Sequence, residues 1–379
     1  MYQKTLQGLQ TATIAFEKWL NKIFSQQYNP FYYHGALPNF FMWTLFITGL
    51  LLFVYFQPTL DSAFISVNYI STKVPFGSIT RGLHRYAADA MMITVILHAL
   101  RVYLTDRYRK YRWLVWYTGI LLLIFMFVIG ITGYILVWDE RSYMIVLMLA
   151  GALKQIPLIG GPLALMFVNG DLVTSYTMAM AFFLHVGISF LLLYGLWWHY
   201  LRISRPVTDV PLGLGLLLFA SILIPAGVIP VISGKPAVLT QTPTEFPVDW
   251  FYLWIFPMFS SMPAMIVWTI LFIITAILLV VPFLITDRPK SPATVSLENC
   301  VGCTLCAKDC PYEAIYMVPR TDHPKYKQLA VVIDARCAEC GLCVGACAFK
   351  AIDLPHMNSQ EVIAKIGDIM KEPVGAGVS

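Results

Sequence analysis

Six apolar stretches of about 20 residues or more decide what this chain can fold into, because that is the length an α-helix needs to cross bilayer hydrocarbon. They run near Leu37–Phe56, Tyr86–Thr105, Trp113–Trp138, Val173–Leu201, Leu212–Ile232 and Pro263–Ile285. Of the 379 residues, 58% are hydrophobic and 12% charged, against about 45–50% and 25% in ordinary globular proteins, which places the chain in a membrane. Ahead of the first stretch, Ile14, Phe16, Trp19, Leu20, Ile23 and Phe24 share one helix face. Residues 1–35 therefore read as an amphipathic helix on the cytoplasmic membrane surface or as a soluble cap, with no cleavable signal evident. Arg101, Arg107, Arg109, Lys110 and Arg112 crowd one loop, and Lys4, Lys18, Lys22, Arg202, Arg205, Arg288 and Lys290 mark the same side. The other side spreads Lys73, Arg81, Arg85, Arg141, Lys154 and Lys235 over longer connections. Basic loops face the cytoplasm, so both termini are expected there, in a multi-pass protein of a bacterial inner membrane. The net charge of +5 comes from these loops, and no nucleotide or nucleic-acid signal is evident.

Composition changes at Asp287-Arg288-Pro289-Lys290-Ser291-Pro292, a polar, proline-bearing linker. All eight cysteines follow it, as Cys300, Cys303, Cys306, Cys310-Pro311 and as Cys337, Cys340, Cys343, Cys347-Ala348. This spacing resembles the run of bacterial two-cluster ferredoxins, in which the fourth cysteine of each run serves the other [4Fe–4S] cluster. One cluster is then expected on Cys300, Cys303, Cys306 and Cys347, and the other on Cys337, Cys340, Cys343 and Cys310. An internal repeat agrees: Cys310-Pro-Tyr-Glu-Ala-Ile recurs 37 positions later as Cys347-Ala-Phe-Lys-Ala-Ile. Disulfides suit exported domains, and zinc prefers ligands in two pairs; neither explains two identical runs. The strap from Pro311 to Arg336 is long for such a domain and predicts an extra loop near Thr321–Gln328.

A histidine inside a span is costly and by default functional. His84 and His98 are 14 residues apart, and so are His185 and His199; 14 residues are almost four turns, so each pair shares a face about 21 Å apart. The two helices run in the same direction. They can clamp two stacked haems, the outer between His84 and His185 and the inner between His98 and His199. Gly35 and Gly49, and Gly119 and Gly133, repeat the interval. They would let a flat macrocycle approach the backbone or serve as helix contacts. His34 is either an interfacial histidine or a contact to an inner quinone, and His323 and His356 read as surface residues.

Arg81-Gly-Leu-His84-Arg85, His98-Ala-Leu-Arg101-Val-Tyr-Leu, Gly130-Ile-Thr-Gly133-Tyr134, Trp138-Asp139, Pro157-Leu-Ile-Gly-Gly-Pro162 and Val281-Pro-Phe-Leu resemble the cytochrome b of respiratory complex III and the photosynthetic cytochrome bf complex. The resemblance covers Phe31 to about Pro292 and is closest to the photosynthetic branch, with the first two spans of the separate quinol-site subunit fused on and its third absent. It implies that Arg81, Arg85 and Arg101 pair with haem propionates. It also implies that Tyr134, Trp138 and Asp139, with the segments from Tyr143 to Val168, form part of an outer quinol-oxidation pocket. Three features depart from the family. The His185 to His199 spacing matches complex III rather than the photosynthetic subunit, which is one residue longer. The photosynthetic thioether cysteine is Tyr33 here, which argues against a covalently attached third haem. The Pro-Glu-Trp-Tyr motif falls on Val248-Asp249-Trp250-Phe251, which leaves Asp249 as the candidate base for quinol oxidation or as a local cap.

The expected fold is mainly α: six transmembrane helices around a four-helix di-haem core (36–205), two further spans with an outer quinol-site loop (206–290), and an α+β ferredoxin-like domain (291–379). The expected function is quinol/quinone oxidoreduction by electrons crossing the bilayer through two b-type haems and exchanging with two cytoplasmic [4Fe–4S] clusters, in a direction left open. Two alternatives stand beside it: the ferredoxin domain as a docking module only, or the chain as membrane anchor of a dehydrogenase. Expected partners are quinone, lipid, a Rieske-type or c-type cytochrome subunit outside and a cytoplasmic redox protein, in a multi-subunit complex for which a dimer is one arrangement.

Overall fold

In hydrocarbon a backbone N–H or C=O has no water to bond, so each apolar stretch must satisfy itself as a helix. The computed structural model describes residues 2–104, 108, 112–168, 173–201, 203, 207–241, 249, 251–284, 292–310, 314–334, 336–337 and 341–355. Among them, five helices are long and apolar enough to cross a membrane. With α1 (Tyr2–Tyr28) and α3 (Ala63–Thr72) taken in chain order, these are α2 (Ala36–Tyr55), α4 (Gly77–Leu104), α5 (Trp113–Val137), then, after the short α6 (Glu140–Lys154) and α7 (Gly160–Leu165), α8 (Ser175–Leu201) and, after α9 (Leu212–Val228) and α10 (Ile255–Ser261), α11 (Ala264–Leu284). The expected sixth span is α9, which is apolar but only 17 residues long. Pro230 ends it, because the residue before a proline is disfavoured in α conformation.

The membrane unit is held by close backbone approaches. α2 runs along α4, and α9 packs on α4 where a Cβ added to Gly82 would lie 2.9 Å from Ala226 Cβ. Pro282 lacks the N–H that would bond the Leu278 carbonyl one turn back. Trp116 Nε1 donates to that oxygen at 2.7 Å, and Tyr117 OH to the Leu279 carbonyl at 2.7 Å. α1 has the expected helical form, but its apolar face divides. Phe16, Trp19 and Ile23 are exposed while Leu20 and Glu17 are buried, and Glu17 meets Arg101 of α4. α5 ends at Trp138, whose left-handed backbone (φ 57°) turns the chain into α6; such a conformation costs a β-carbon-bearing residue about 1–3 kcal/mol and persists only where packing enforces it.

The C-terminal unit, described by itself, pairs β1 (Thr294–Val295) with β4 (Ile352–Asp353) and β2 (Ile315–Pro319) with β3 (Gln328–Val332), both antiparallel. Two five-residue helices, α12 (Leu305–Asp309) and α13 (Leu342–Ala346), each follow a left-handed residue, Thr304 and Gly341. The strap expected to carry an extra loop is the β2–β3 hairpin.

Candidate functional site

Each of the four span histidines lies against one of the four periodic glycines. A Cβ at Gly49 would stand 3.3 Å from His84 Cε1, at Gly133 3.1 Å from His185, at Gly119 3.6 Å from His199 and at Gly35 3.8 Å from His98. The missing side chain thus makes room first for the imidazole. Gly49 and Gly133 attend the histidines expected outside, Gly35 and Gly119 those expected inside.

Three of the glycines follow a threonine, and the threonine reaches the same ring. Thr48 Oγ1 is 3.0 Å from His84 Nδ1, Thr118 Oγ1 2.8 Å from His199 Nδ1, and Thr132 Oγ1 3.4 Å from His185 Nδ1. His185 Nδ1 also lies 2.9 Å from the Ile129 carbonyl. A carbonyl only accepts, so this Nδ1 donates and Nε2 keeps its lone pair for a ligand bond; outer hydrogen bonds of this kind orient metal-binding histidines. These threonines escaped the sequence reading, although Thr48-Gly49, Thr118-Gly119 and Thr132-Gly133 repeat visibly. At the fourth position the residue before Gly35 is His34. Its ring is 4% exposed, packs edge-on to Phe31 at 4.6 Å, and has neither nitrogen hydrogen-bonded among the described residues. Burial, then the Arg101 charge and His98, hold its pKa down to about 3, so it is neutral near pH 7.

The rings of His84 and His185 face each other with centroids 6.3 Å apart. Two imidazoles bound through Nε2 to one metal at about 2 Å per bond place their ring centres roughly 6 Å apart, so this pair fits an iron between them. His98 and His199, expected as the second pair, each lie against a glycine, Gly35 and Gly119.

The three arginines expected at haem propionates have protein partners. Arg81 donates to Ser71 Oγ at 2.9 Å and Ser233 Oγ at 2.8 Å, and Arg101 Nε to Glu17 Oε1 at 2.6 Å. Arg85 ion-pairs with Asp89 and with Asp249 and donates to Tyr134 OH at 2.6 Å. Tyr134 OH donates to Asp249 Oδ2 at 2.6 Å, while Phe251 N and Tyr252 N donate to Oδ1 at 2.7 and 2.8 Å. Burial raises the Asp249 carboxyl, but Tyr134, the two backbone N–H groups and Arg85 outweigh it and hold the group below the usual range. Two candidate pocket residues, Tyr134 and Asp249, are thus brought together, and Asp249 also caps its own turn.

Trp138 and Asp139 hold the corner between α5 and α6. Trp138 is the buried corner after α5, and Asp139 caps α6 by accepting from Ser142 N at 3.0 Å and separately accepts from the distant Gly234 N at 2.9 Å. Trp138 thus serves as turn and Asp139 as cap, beside the pocket role that the resemblance implies. Gly130 carries the neighbouring constraint, since a Cβ there would fall 2.1 Å from Tyr252 Cδ1. Gly130→Ala is expected to cost about 1–3 kcal/mol through overpacking and to displace the turn that holds Asp249; thermal melting and quinol-driven reduction, measured together, check this.

In the C-terminal unit Cys300, Cys303, Cys306 and Cys347 line one cavity. Burial and the neighbouring Cys303, Cys300 and Cys347 push the Cys306 thiol up against the pull of the Ala307 N–H, the situation that binding to iron relieves by removing the protons. The repeat is exact at two sulfurs: Ala314 N donates to Cys310 Sγ at 3.3 Å and Ala351 N to Cys347 Sγ at 3.2 Å. Such bonds tune cluster potentials. Of the second expected ligand set, Cys310, Cys337 and Cys343 are described, and Cys340 lies outside the described residues, as do Trp250 and His356.

The Cytochrome b/b6/petB family model matches residues 19–206, and a 4Fe-4S dicluster domain model matches residues 299–351. Cytochrome b6 of Synechococcus sp. is 36% identical over 185 residues, covering 48% of this chain and 86% of the relative. That of Acaryochloris marina is 34% identical over the same shares. A solved structure titled "Hyperthermophilic respiratory Complex III" superposes with a TM-score of 0.58 at 22% identity, over 68% of this chain and 76% of that one, and shows the fold. With its paired histidines seated on glycines and its cysteines in two matched runs, the chain belongs to the cytochrome b/b6 family and carries a C-terminal 4Fe-4S dicluster ferredoxin domain.

Proposed function

We propose that this electron-transfer membrane subunit oxidises or reduces quinone through two bis-histidine b haems, His84/His185 outside and His98/His199 inside, and exchanges electrons with two [4Fe–4S] clusters. In this reading residues 36–205 hold the haems, 206–290 add the outer quinol loop, and 291–379 hold the clusters on the cytoplasmic side. The haems supply one-electron carriers at two depths, and a charge crossing between them works against about 2.3 kcal/mol per 100 mV. The protein's own task is to fix the imidazoles, through Gly49, Gly133, Thr48 and Thr132, and to handle protons beside the outer pair, where Tyr134, Arg85 and Asp249 converge. Outer electrons leave to a Rieske-type or c-type partner subunit, because this chain carries no such centre of its own.

The observation that carries the reading is the His84–His185 pair, 6.3 Å between ring centres, with the His185 Nδ1 committed to a carbonyl. A redox titration of the purified complex tests it. Two b-type transitions are expected, both reached by quinol, with cluster signals following the haems in stopped-flow. Haems that quinol reduces while the clusters neither follow nor reduce them would end the coupling and leave the C-terminal domain as a docking module.

A further inference from the structure

α4 carries an aspartate, Asp89, inside a helix of membrane-spanning length. An acidic side chain in hydrocarbon is expensive and is kept where it has a partner and a task. Its partner is Arg85, one turn earlier on the same face, and Arg85 is shared with Asp249. One guanidinium therefore serves two carboxylates. With both ionised the Arg85–Asp89–Asp249 triad is net negative, with the Arg141 guanidinium beyond it, 5.7 Å from the Tyr134 ring centre, so one of the two carboxylates is poised to take a proton.

The two acids are held unequally. The Asp249 side chain is 4% exposed and accepts from Arg85, Tyr134 OH, Phe251 N and Tyr252 N. The Asp89 side chain is 23% exposed, and among the described residues Arg85 is its hydrogen-bond partner. The charged and titratable groups facing Asp89 are Arg85 on its own helix, Tyr134 from α5, and Asp249 and Tyr252 from the segment before α10. Tyr252 OH is committed to the Ala88 carbonyl at 2.9 Å, and Tyr134 OH to Asp249. Every hydroxyl and amide donor in the cluster thus goes elsewhere, and Asp89 keeps the weaker hold on its charge.

We propose that Asp89 takes up a proton released when quinol is oxidised at the outer site, while Asp249 serves to fix Arg85. This rests on the quinol reading above. Oxidation of one quinol to quinone releases two electrons and two protons. One electron would pass to the haem that His84 and His185 would hold, and one to a one-electron acceptor on the partner subunit. One proton binds the Asp89 carboxylate, neutralising it and loosening its pair with Arg85, and the other leaves to water. Asp89 then returns its proton to the outer aqueous phase.

The test compares wild type, Asp89→Asn, Asp89→Glu and Asp249→Asn in the intact complex, following quinol-driven haem reduction across pH. Asp89→Asn is expected to slow that reduction about 10²-fold, the scale of a lost proton acceptor, to abolish the acidic limb of the pH profile, and to leave haem content and the dithionite-reduced spectrum unchanged. Asp89→Glu is expected to recover most of the rate with the limb displaced. Redox-triggered infrared difference spectra are expected to show a protonated-carboxyl band in wild type and Asp249→Asn but not in Asp89→Asn. An Asp89→Asn protein with the wild-type rate and pH profile overturns the proposal. If Asp89→Asn loses haem, the Glu variant decides, and an undisplaced limb overturns it. Wild type whose haems quinol never reduces at any pH fails the quinol reading itself, a result separate from any Asp89 variant, and the proposal falls with it.

Discussion

Replacing His185 with leucine is expected to leave the purified protein with one b-type haem per chain instead of two. The His84 ring has its counterpart 6.3 Å away at His185, and the variant offers no second imidazole on that side. The neighbouring wall is Gly133, a residue without a side chain, so nothing on α5 can substitute. Pyridine haemochrome quantitation per mole of protein reads the change directly, and low-spin electron paramagnetic resonance should lose one of two signals while the inner pair on His98 and His199 keeps its own. Quinol should then fail to reduce the remaining haem through the outer site. Two haems per chain in this variant would exclude the His84/His185 assignment.

The second large effect concerns the clusters. Cys306→Ser and Cys347→Ser, 41 residues apart in the chain, are expected to remove the same cluster, because both thiols line one cavity with Cys300 and Cys303. Cys310→Ser is expected to remove the other. In each case non-haem iron should fall from about eight to about four atoms per chain, as for two four-iron clusters, and the domain should lose stability because metal-binding energy is folding energy in such small units. Iron and acid-labile sulfide analysis with paramagnetic resonance of the reduced protein separates the cases. Loss of different clusters in Cys306→Ser and Cys347→Ser would mean that each run ligates a cluster alone.

The candidate haem ligands and the two cysteine runs were readable because they repeat at short range. A 14-residue interval is close to a whole number of helical turns, and the first three cysteines of the first run fall within seven residues, Cys300 to Cys306. The pocket was less legible. Arg85 and Asp249 are separated by 164 positions and Tyr134 and Asp249 by 115, and no local pattern announces that they meet. Asp89 gave no signal beyond being an acid within an apolar stretch. Trp138 and Asp139 also form a capped corner, because a cap and a reactive pocket use the same residue types.

Membrane class, the position of the spans, the paired histidines and the two cysteine runs follow from the sequence alone, since bilayer thickness, helical pitch and cluster geometry each impose a spacing on neighbouring residues. Tertiary structure alone decided that Thr48, Thr118 and Thr132 reach the imidazoles, that Arg101 turns to Glu17, and that Arg85 divides itself between Asp89 and Asp249. The physical reason is desolvation: a polar group removed from water must pair with whichever group the packing of helices brings near, and that choice is made between segments far apart in the chain.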